Sequence, residues 1–235
     1  GGAYAELLLV DASLAVPIPS NMSYESAAAV PEAFYTAEDG VFSLGELAEG
    51  EAVLIHAGAS GVGTAAIQLA AAAGARVIAT AGTAEKAARC EELGAALGVN
   101  YRELDFTEAV DELTGGAGVD LVLDLVGASY WDRNIASLRV GGRLVLLGLV
   151  GGTRAEADLG AVLRKRLRII GSVMRSRSIE EKCEVTARFR ERILPRLESG
   201  ELKAVVDSIL PFEEVRDAHI RMEENLNIGK IILRL

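Results

Sequence analysis

The feature that most constrains the fold is a glycine-rich turn placed between an apolar run and a small-residue helix. The turn reads Gly58-Ala-Ser-Gly-Val-Gly63, and an apolar run at 52–57 leads into it. The alanine-rich segment 64–73 is predicted to be a helix, and Gly74 occupies a position where helices commonly end. A strand, a glycine turn and a helix in this order predict the first unit of a parallel sheet.

The same alternation of strands and helices continues beyond this turn. Further strands are predicted at 76–80, 96–101, 119–126, 143–150 and 167–173, and further helices at 83–93, 106–113 and 131–138. Near-continuous apolar strands that alternate with helices are typical of a parallel sheet covered on both faces. The sequence therefore predicts an α/β fold with a doubly wound parallel sheet of the Rossmann type.

The two ends of the chain follow a different pattern. Residues 1–20 predict short β segments that prolines interrupt. Near the C terminus, strands are predicted around 205–210 and 230–235, with a helix near 213–224 between them. We expect these ends to belong to a second unit that lies against the sheet.

Two interpretations of the glycine turn fit its sequence. Glycines let the backbone approach a pyrophosphate closely, and the following helix offers free N–H groups and a positive dipole end. The alternative is a tight turn that binds nothing. Because a strand precedes the turn, a helix follows it and a second strand ends at Thr80, we favour a dinucleotide site.

The tip of the second strand indicates which dinucleotide fits. NAD sites usually carry an Asp or Glu there for the ribose hydroxyls. This chain has Gly82, Thr83 and Lys86 near the tip, and these residues suit a 2′-phosphate. Glu85 could instead serve the ribose or repel a phosphate. We favour NADP(H) over NAD.

Composition excludes other classes of protein. The chain has 235 residues and a formal net charge of −10, which argues against nucleic acid as a partner. No apolar run is long enough for a membrane-spanning helix, and no signal peptide is visible. Cys90 and Cys183 form no metal spacing, so we expect free thiols and a cytoplasmic protein. The chain begins at Gly1, and we expect an upstream part to be missing.

Short stretches along the whole chain resemble one known family. They are Gly2-Ala-Tyr-Ala-Glu6, Ala28-Ala-Val-Pro-Glu-Ala33, His56-Ala-Gly-Ala-Ser-Gly-Val-Gly63, Thr80-Ala-Gly82, Asn100-Tyr101, Gly127-Ala-Ser-Tyr-Trp131, Arg175-Ser-Arg177 and Asn227-Ile-Gly-Lys230. Together they resemble the medium-chain dehydrogenase/reductase superfamily, and more closely its zinc-independent quinone oxidoreductase branch.

The resemblance implies a two-domain enzyme with a GroES-like barrel on one side of a cleft and a dinucleotide domain on the other. Residues 1–30 would be the end of the catalytic, GroES-like domain, and 31–175 would be the dinucleotide-binding domain. Residues 176–235 would return to the catalytic domain. Most of the barrel would then lie outside this sequence.

The resemblance also implies which residues meet the cofactor. They are Ser60, Gly61 and Val62 at the pyrophosphate; Gly82, Thr83, Lys86 and Tyr101 at the adenosine phosphate; Val126 and Gly127 at the adenine-side ribose; Gly148 and Leu149 at the nicotinamide ribose; Ser172, Val173 and Met174 at the nicotinamide end; and Asn227 over the cofactor.

The implied reaction is hydride transfer from NADPH to a quinone or an activated double bond, with the protein orienting the cofactor. Zinc alcohol dehydrogenases of the superfamily have a cysteine ligand in the segment where this chain has Glu32, so we expect no catalytic zinc. Two alternatives stay open. One is an enoyl or enone reductase, including the reductase module of a polyketide synthase. The other is a catalytically incomplete fragment that binds NADPH and dimerises.

No catalytic residue is assigned. Tyr35 is a conceivable proton donor, but packing at a helix start is the favoured role. His56 ends an apolar strand and is expected to be a hydrogen-bonded core histidine. Arg175 and Arg177 fit a cleft border and a solvated surface equally well.

One partner is predicted from the sheet itself. The strand at 143–150 is strongly apolar, and we expect it to form the edge of the doubly wound sheet. An exposed apolar edge is hazardous unless it is paired. We therefore predict a homodimer in which this strand pairs with its copy.

Overall fold

The computed structural model describes residues 4–235, and six parallel strands form its main sheet. The strands are β1 (Ala52–Ile55), β2 (Arg76–Ala81), β3 (Leu97–Asn100), β4 (Val119–Asp124), β5 (Leu138–Leu146) and β6 (Arg168–Gly171). Their order in the sheet is β3-β2-β1-β4-β5-β6. The order reverses direction at β1 and β4, as in a doubly wound Rossmann sheet, and the predicted fold class is confirmed.

Ten α-helices accompany these strands in the described part of the chain. They are α1 (Tyr24–Ala28), α2 (Ala33–Glu38), α3 (Gly61–Ala72), α4 (Ala84–Glu92), α5 (Phe106–Thr114), α6 (Trp131–Ser137), α7 (Leu159–Lys165), α8 (Ile179–Arg192), α9 (Leu194–Glu198) and α10 (Val215–Glu223). A π-helical stretch, Asp39–Leu44, directly follows α2. Thr83 caps α4 and left-handed Gly115 ends α5, in agreement with the predicted helix boundaries.

Two apolar cores lie on opposite faces of the sheet. Along β1, Val53 and Ile55 join one core, which also holds Phe34 from α2. The intervening Leu54 joins the other core with Phe106. Alternate residues of one strand are therefore buried on both sides, which explains why the strands read as continuous apolar runs.

The strand predicted at 143–150 does not form an edge of the sheet. β5 begins earlier, at Leu138, and ends at Leu146. It lies between β4 and β6, with Leu144 opposite Ile169 in β6. The edge prediction was wrong because the next apolar segment pairs with β5 and covers that side. The outer strand on this side is β6, so a dimer cannot form through β5.

The strands predicted near the C terminus are present, whereas those predicted near the N terminus are not. β7 (Val206–Pro211) and β8 (Lys230–Arg234) form a small parallel sheet around α10, as expected. No strand forms within residues 4–20, so the predicted β segments there are wrong as far as the chain is described. Leu9 is 100% exposed, because this segment finds no partner strand within residues 4–235.

No helix within residues 4–235 combines the length and apolar character needed to cross a bilayer.

Candidate functional site

The glycine turn brings the N terminus of α3 to the carboxyl end of β1. Ser60 caps α3, and its Oγ accepts a hydrogen bond from the Gly63 N–H at 3.0 Å. A Cβ atom at Gly63 would press against the backbone carbonyl of Ala57, so only glycine allows this turn. Free N–H groups of a helix start therefore lie at the crevice where the strand order reverses.

A cavity of about 460 Å³ opens beside this turn, at the carboxyl ends of β1, β2 and β4. Five of the predicted site residues line it: Ser60, Gly82, Lys86, Tyr101 and Val126. Thr80, Tyr130 and Asn225 also line it, although the sequence did not single them out as ligand-binding residues. Its volume falls in the range of small-molecule sites.

Lys86 is the main charged group of this cavity. The residue is only 6% exposed, and its Nζ donates to the backbone oxygen of Asn225 at 2.5 Å and to the Asn225 Oδ1 at 3.1 Å. Both acceptors are uncharged. Burial lowers the pKa of Lys86. A buried ammonium without a carboxylate acceptor favours an anionic ligand in the cavity.

The other residues near the tip of β2 take different positions. A Cβ at Gly82 would lie 2.8 Å from the Tyr101 Oη, so glycine permits the close approach of these two residues. Thr83 is exposed, and its Oγ1 accepts a hydrogen bond from the Lys86 N–H at 3.2 Å. Thr83 does not line the cavity, and Glu85 is an exposed residue of α4.

A second cavity, of about 370 Å³, lies on the other side of Ser60. Gly61 and Asn227 line it together with Lys230. The Lys230 side chain crosses the start of α3, and its Cδ lies 2.5 Å from where a Gly61 Cβ would be. The segment containing Asn227 is joined to the glycine turn, because the Gly229 N–H donates to the Ala59 oxygen at 2.8 Å.

The remaining predicted residues follow the carboxyl ends of β4, β5 and β6. Gly127 and Leu149 line a third cavity of about 210 Å³, and Gly148 packs closely against the Leu125 backbone. Ser172 follows β6, and Val173 is exposed. Val62 is half-buried at the start of α3, and Met174 is half-buried in the loop after β6. The predicted residues therefore do not share one cavity and instead form a path along the carboxyl edge of the sheet.

A network of buried, hydrogen-bonded polar side chains lies behind this edge of the sheet. The sequence indicated His56 as one of its members but not the others. His56 is a fully buried, hydrogen-bonded histidine, as expected; its Nδ1 lies 2.9 Å from the Thr80 Oγ1 and its Nε2 lies 2.7 Å from the Asn134 Oδ1. Asn134 in turn donates its amide to the Asp124 Oδ2 at 3.0 Å. Asp124 Oδ1 accepts the N–H groups of Val126 and Gly127 at 2.7 and 3.0 Å. An aspartate at the end of an otherwise apolar strand was the available signal.

Arg177 is a partly buried, ion-paired side chain, so the solvated-surface alternative is wrong for this residue. Its side chain is 17% exposed and pairs with the buried carboxylate of Asp39. Asp39 also accepts from the Ser172 Oγ at 3.2 Å, so this pair holds the start of the loop after β6. Arg175 is exposed.

The acidic residue next to Asp39 is buried as well. Glu38 is paired with Arg188 and Arg192 of α8, at 3.4 and 3.1 Å. Tyr35 packs on Phe189, with ring centroids 4.5 Å apart, which agrees with the favoured packing role.

Potential metal ligands are not clustered in the described part of the chain. No group of three His, Cys, Asp or Glu side chains lies close enough to hold a metal ion within residues 4–235. Glu32 is exposed at the start of α2, 3.8 Å from the Lys230 ammonium. Cys90 is buried, and burial raises the pKa of its thiol to about 12.

Comparison with known proteins places this architecture. The family model described as zinc-binding dehydrogenase matches residues 61–191. Quinone oxidoreductase-like protein 2 of Bos taurus is 32% identical over 98% of this chain and 66% of its own length. The chain therefore spans slightly less than two thirds of this curated relative.

Two solved structures share the fold over nearly the whole chain. Escherichia coli quinone oxidoreductase complexed with NADPH matches with a TM-score of 0.90 and 30% identity, over 99% of this chain and 72% of that chain. A structure described as an NAD-dependent alcohol dehydrogenase matches with a TM-score of 0.88 and 38% identity, over 100% of this chain and 65% of that chain. The chain belongs to the zinc-binding dehydrogenase family of the medium-chain dehydrogenase/reductase superfamily, and within it to the zinc-independent quinone oxidoreductase branch.

Proposed function

We propose that this chain is the cofactor-binding part of an NADPH-dependent oxidoreductase that transfers hydride to a quinone or a similar activated acceptor without zinc. The observation that carries the proposal is the Lys86 ammonium, which lines a cavity beside the glycine turn with only uncharged acceptors. A 2′-phosphate would give Lys86 an anionic hydrogen-bond partner. The relationship to a quinone oxidoreductase solved with NADPH supports the same cofactor.

The path along the carboxyl edge of the sheet fits an extended dinucleotide. Lys86, Gly82 and Tyr101 would hold the adenosine phosphate, with Thr83 at the neighbouring helix start. Ser60, Gly61 and Val62 would offer the helix N terminus to the pyrophosphate. The remaining contacts follow in chain order: Val126 and Gly127 at the adenine-side ribose, Gly148 and Leu149 at the nicotinamide ribose, Ser172, Val173 and Met174 at the nicotinamide end, and Asn227 over the cofactor.

The cofactor would supply the hydride when bound, and the residues of this chain would orient it. Asp124 has a positioning role, because it fixes the N–H groups of Val126 and Gly127. At the other end of the path, Asp39 and Arg177 hold the Ser172 hydroxyl. These contacts set the backbone against which the cofactor would lie.

The division of the chain into parts is also a proposal. Residues 31–175 contain the six-strand sheet and would form the dinucleotide-binding domain. Residues 1–30 and 176–235 would belong to the catalytic domain. The separate sheet of β7 and β8 supports this assignment for the C-terminal segment.

A homodimer through the outer edge of β6 replaces the predicted contact through β5. The Ser172 N–H donates to the Leu146 oxygen at 3.0 Å, so by strand alternation the N–H groups of Ile169 and Gly171 point away from β5. Ile169 is 37% exposed. Leu159 and Leu163 of the neighbouring α7 are exposed as well. A second copy of β6 would satisfy the edge and cover these side chains.

Cofactor titration followed by a turnover assay tests the proposed function. We expect NADPH to bind more tightly than NADH, and Lys86→Met to remove most of that difference. Equal or weaker NADPH binding would overturn the cofactor assignment. NADPH oxidation with a quinone and with an enone, measured on a chain that includes the preceding domain, then separates the favoured acceptor from the reductase alternative.

A further inference from the structure

Asn225 is placed next to the cavity by the end of α10. The backbone at Asn225 has a φ of 54°, a left-handed conformation that Asn adopts more readily than most residues. Its N–H donates to the Met222 oxygen at 3.0 Å. This turn aims both the backbone oxygen and the side-chain oxygen of Asn225 at Lys86, a residue 139 positions earlier in the chain.

The segment that carries Asn225 is fixed on both sides. Asp207 on β7 accepts from the Arg221 Nε at 2.7 Å and from the Ile228 N–H at 2.9 Å. Its side chain is nearly buried. Gly229 is bonded to Ala59 of the glycine turn. The position of Asn225 therefore follows from contacts on either side of it, which argues against a chance contact of a mobile loop.

The chemistry of the Lys86–Asn225 contact is unusual in one respect. An ammonium has three N–H groups, and here two of them meet oxygens of a single uncharged residue. A neutral amide orients the ammonium without a direct carboxylate partner, and the Asp207 and Glu85 carboxylates act on Lys86 only through longer-range attraction. A carboxylate at the same place would neutralise Lys86 and repel an incoming phosphate.

We propose that Asn225 is a specificity-determining residue for the adenosine end of the cofactor. Asn225 holds the Lys86 ammonium toward the cavity through its backbone oxygen and Oδ1. With a 2′-phosphomonoester bound, the phosphate takes the place of Oδ1 on Lys86, and the amide turns to donate its Nδ2–H to a phosphate oxygen. This inference rests on the proposed function, because it requires a 2′-phosphate at Lys86.

The test is the substitution Asn225→Asp, which keeps the size and the Oδ1 acceptor but adds a negative charge. Asn225 is exposed, so the variant should fold. We measure dissociation constants for NADPH, NADH, 2′,5′-ADP and 5′-AMP on the same chain. We expect N225D to weaken NADPH and 2′,5′-ADP about tenfold or more, and to change NADH and 5′-AMP less than about twofold.

Two further variants make the result specific. Asn225→Gly keeps the left-handed backbone and the backbone oxygen but loses the side chain, and we expect NADPH to weaken by about threefold. Asn21→Asp is the matched control. It adds the same charge at an exposed position that does not line the cavity, so NADPH affinity should change less than about twofold.

The outcomes separate this inference from the proposed function. Unchanged NADPH affinity of N225D, beside a clear NADPH preference of the wild-type chain, overturns the role of Asn225 alone. Equal weakening of NADPH and NADH also overturns it, because the effect would then not concern the 2′-phosphate. Failure of the wild-type chain to prefer NADPH overturns both the proposed cofactor and this role.

Discussion

The Nε2 atom of His56 lies 2.7 Å from the Oδ1 atom of Asn134. This contact determines which ring nitrogen of His56 carries the proton in a buried hydrogen-bond network. The Asn134 amide already donates to Asp124, so its Oδ1 must accept, and His56 must carry its proton on Nε2. The unprotonated Nδ1 then accepts from the Thr80 hydroxyl. The network therefore links the carboxyl ends of β2, β1 and β4, and a single arrangement of protons gives each of its side chains a hydrogen-bond partner.

Asn134→Ala should destabilise the protein strongly. The substitution leaves the His56 N–H without its acceptor and removes one donor from the buried Asp124 carboxylate. We expect a loss of about 2–4 kcal/mol in the free energy of unfolding, measured by urea denaturation. Asn100→Ala, at the end of β3, is the control: it removes one hydrogen bond, from the Arg102 N–H to the Asn100 Oδ1, and should cost about 1 kcal/mol or less. Equal effects of the two variants would contradict the importance of the buried network.

The stability of the protein should depend on pH through His56. Burial lowers the pKa of His56 to about 4, from 6.5 for an ordinary histidine. Between these values the unfolded chain binds a proton that the folded chain does not, so stability falls as pH falls from 6.5 toward 4. The full effect is about 3 kcal/mol.

The variant His56→Gln isolates this effect. Between pH 6.5 and 4, its free energy of unfolding should depend less steeply on pH than that of the wild type. Burial raises the pKa of Asp124, which acts in the opposite direction, so the difference between the two proteins is the quantity to compare. His219→Gln changes an exposed histidine and should leave the wild-type slope intact. A wild-type slope in His56→Gln would show that other groups carry the pH dependence.

Two glycines of the same turn should respond differently to alanine. Gly63→Ala forces a Cβ against the Ala57 carbonyl, whereas Gly61→Ala meets the Cδ and Cγ of the Lys230 side chain, which can move aside. We expect a loss of about 3 kcal/mol for Gly63→Ala and less than about 1 kcal/mol for Gly61→Ala, by urea denaturation. Similar losses for both variants would contradict the close approach at Gly63.

Local patterns in the sequence were enough to predict most of the main sheet. From Ala52 to Gly171 strands and helices alternate, and the residues of each segment are enough to indicate whether it is a strand or a helix. Thr83 and Gly115 also mark the ends of helices. The position of β5 within the sheet was not predictable in this way, because an edge is defined by a partner strand rather than by the strand's own residues.

The contacts that organise the site are long-range. His56 and Asn134 are 78 positions apart, and Lys86 and Asn225 are 139 apart. No spacing rule within one helix or strand connects such pairs. The sequence therefore indicated Lys86 as a cation for the cofactor but could not indicate Asn225, which determines where that cation points.

Two buried acidic residues at the end of α2, Glu38 and Asp39, give a further prediction. Asp39→Ala would leave Arg177 without its partner and Arg188 without one of its two. Removing one member of a buried ion pair typically costs about 3–5 kcal/mol, and we expect a loss in that range by urea denaturation. Glu46→Ala breaks the exposed pair with Arg168 and should leave the free energy of unfolding nearly unchanged, because solvent screens that pair. A small effect at Asp39 would mean that solvent replaces the lost carboxylate.

The proposed dimer can be tested at Ile169 without disturbing the sheet of one chain. The Ile169 N–H points away from β5, so Ile169→Pro removes an outward donor and preserves the hydrogen bonds between β5 and β6. We expect this variant to sediment as a monomer at concentrations where the wild type sediments as a dimer. Ile169→Thr keeps the N–H and a β-branched side chain, and it should remain dimeric. A wild-type chain that sediments only as a monomer, or a proline variant that stays dimeric, would exclude β6 as the contact.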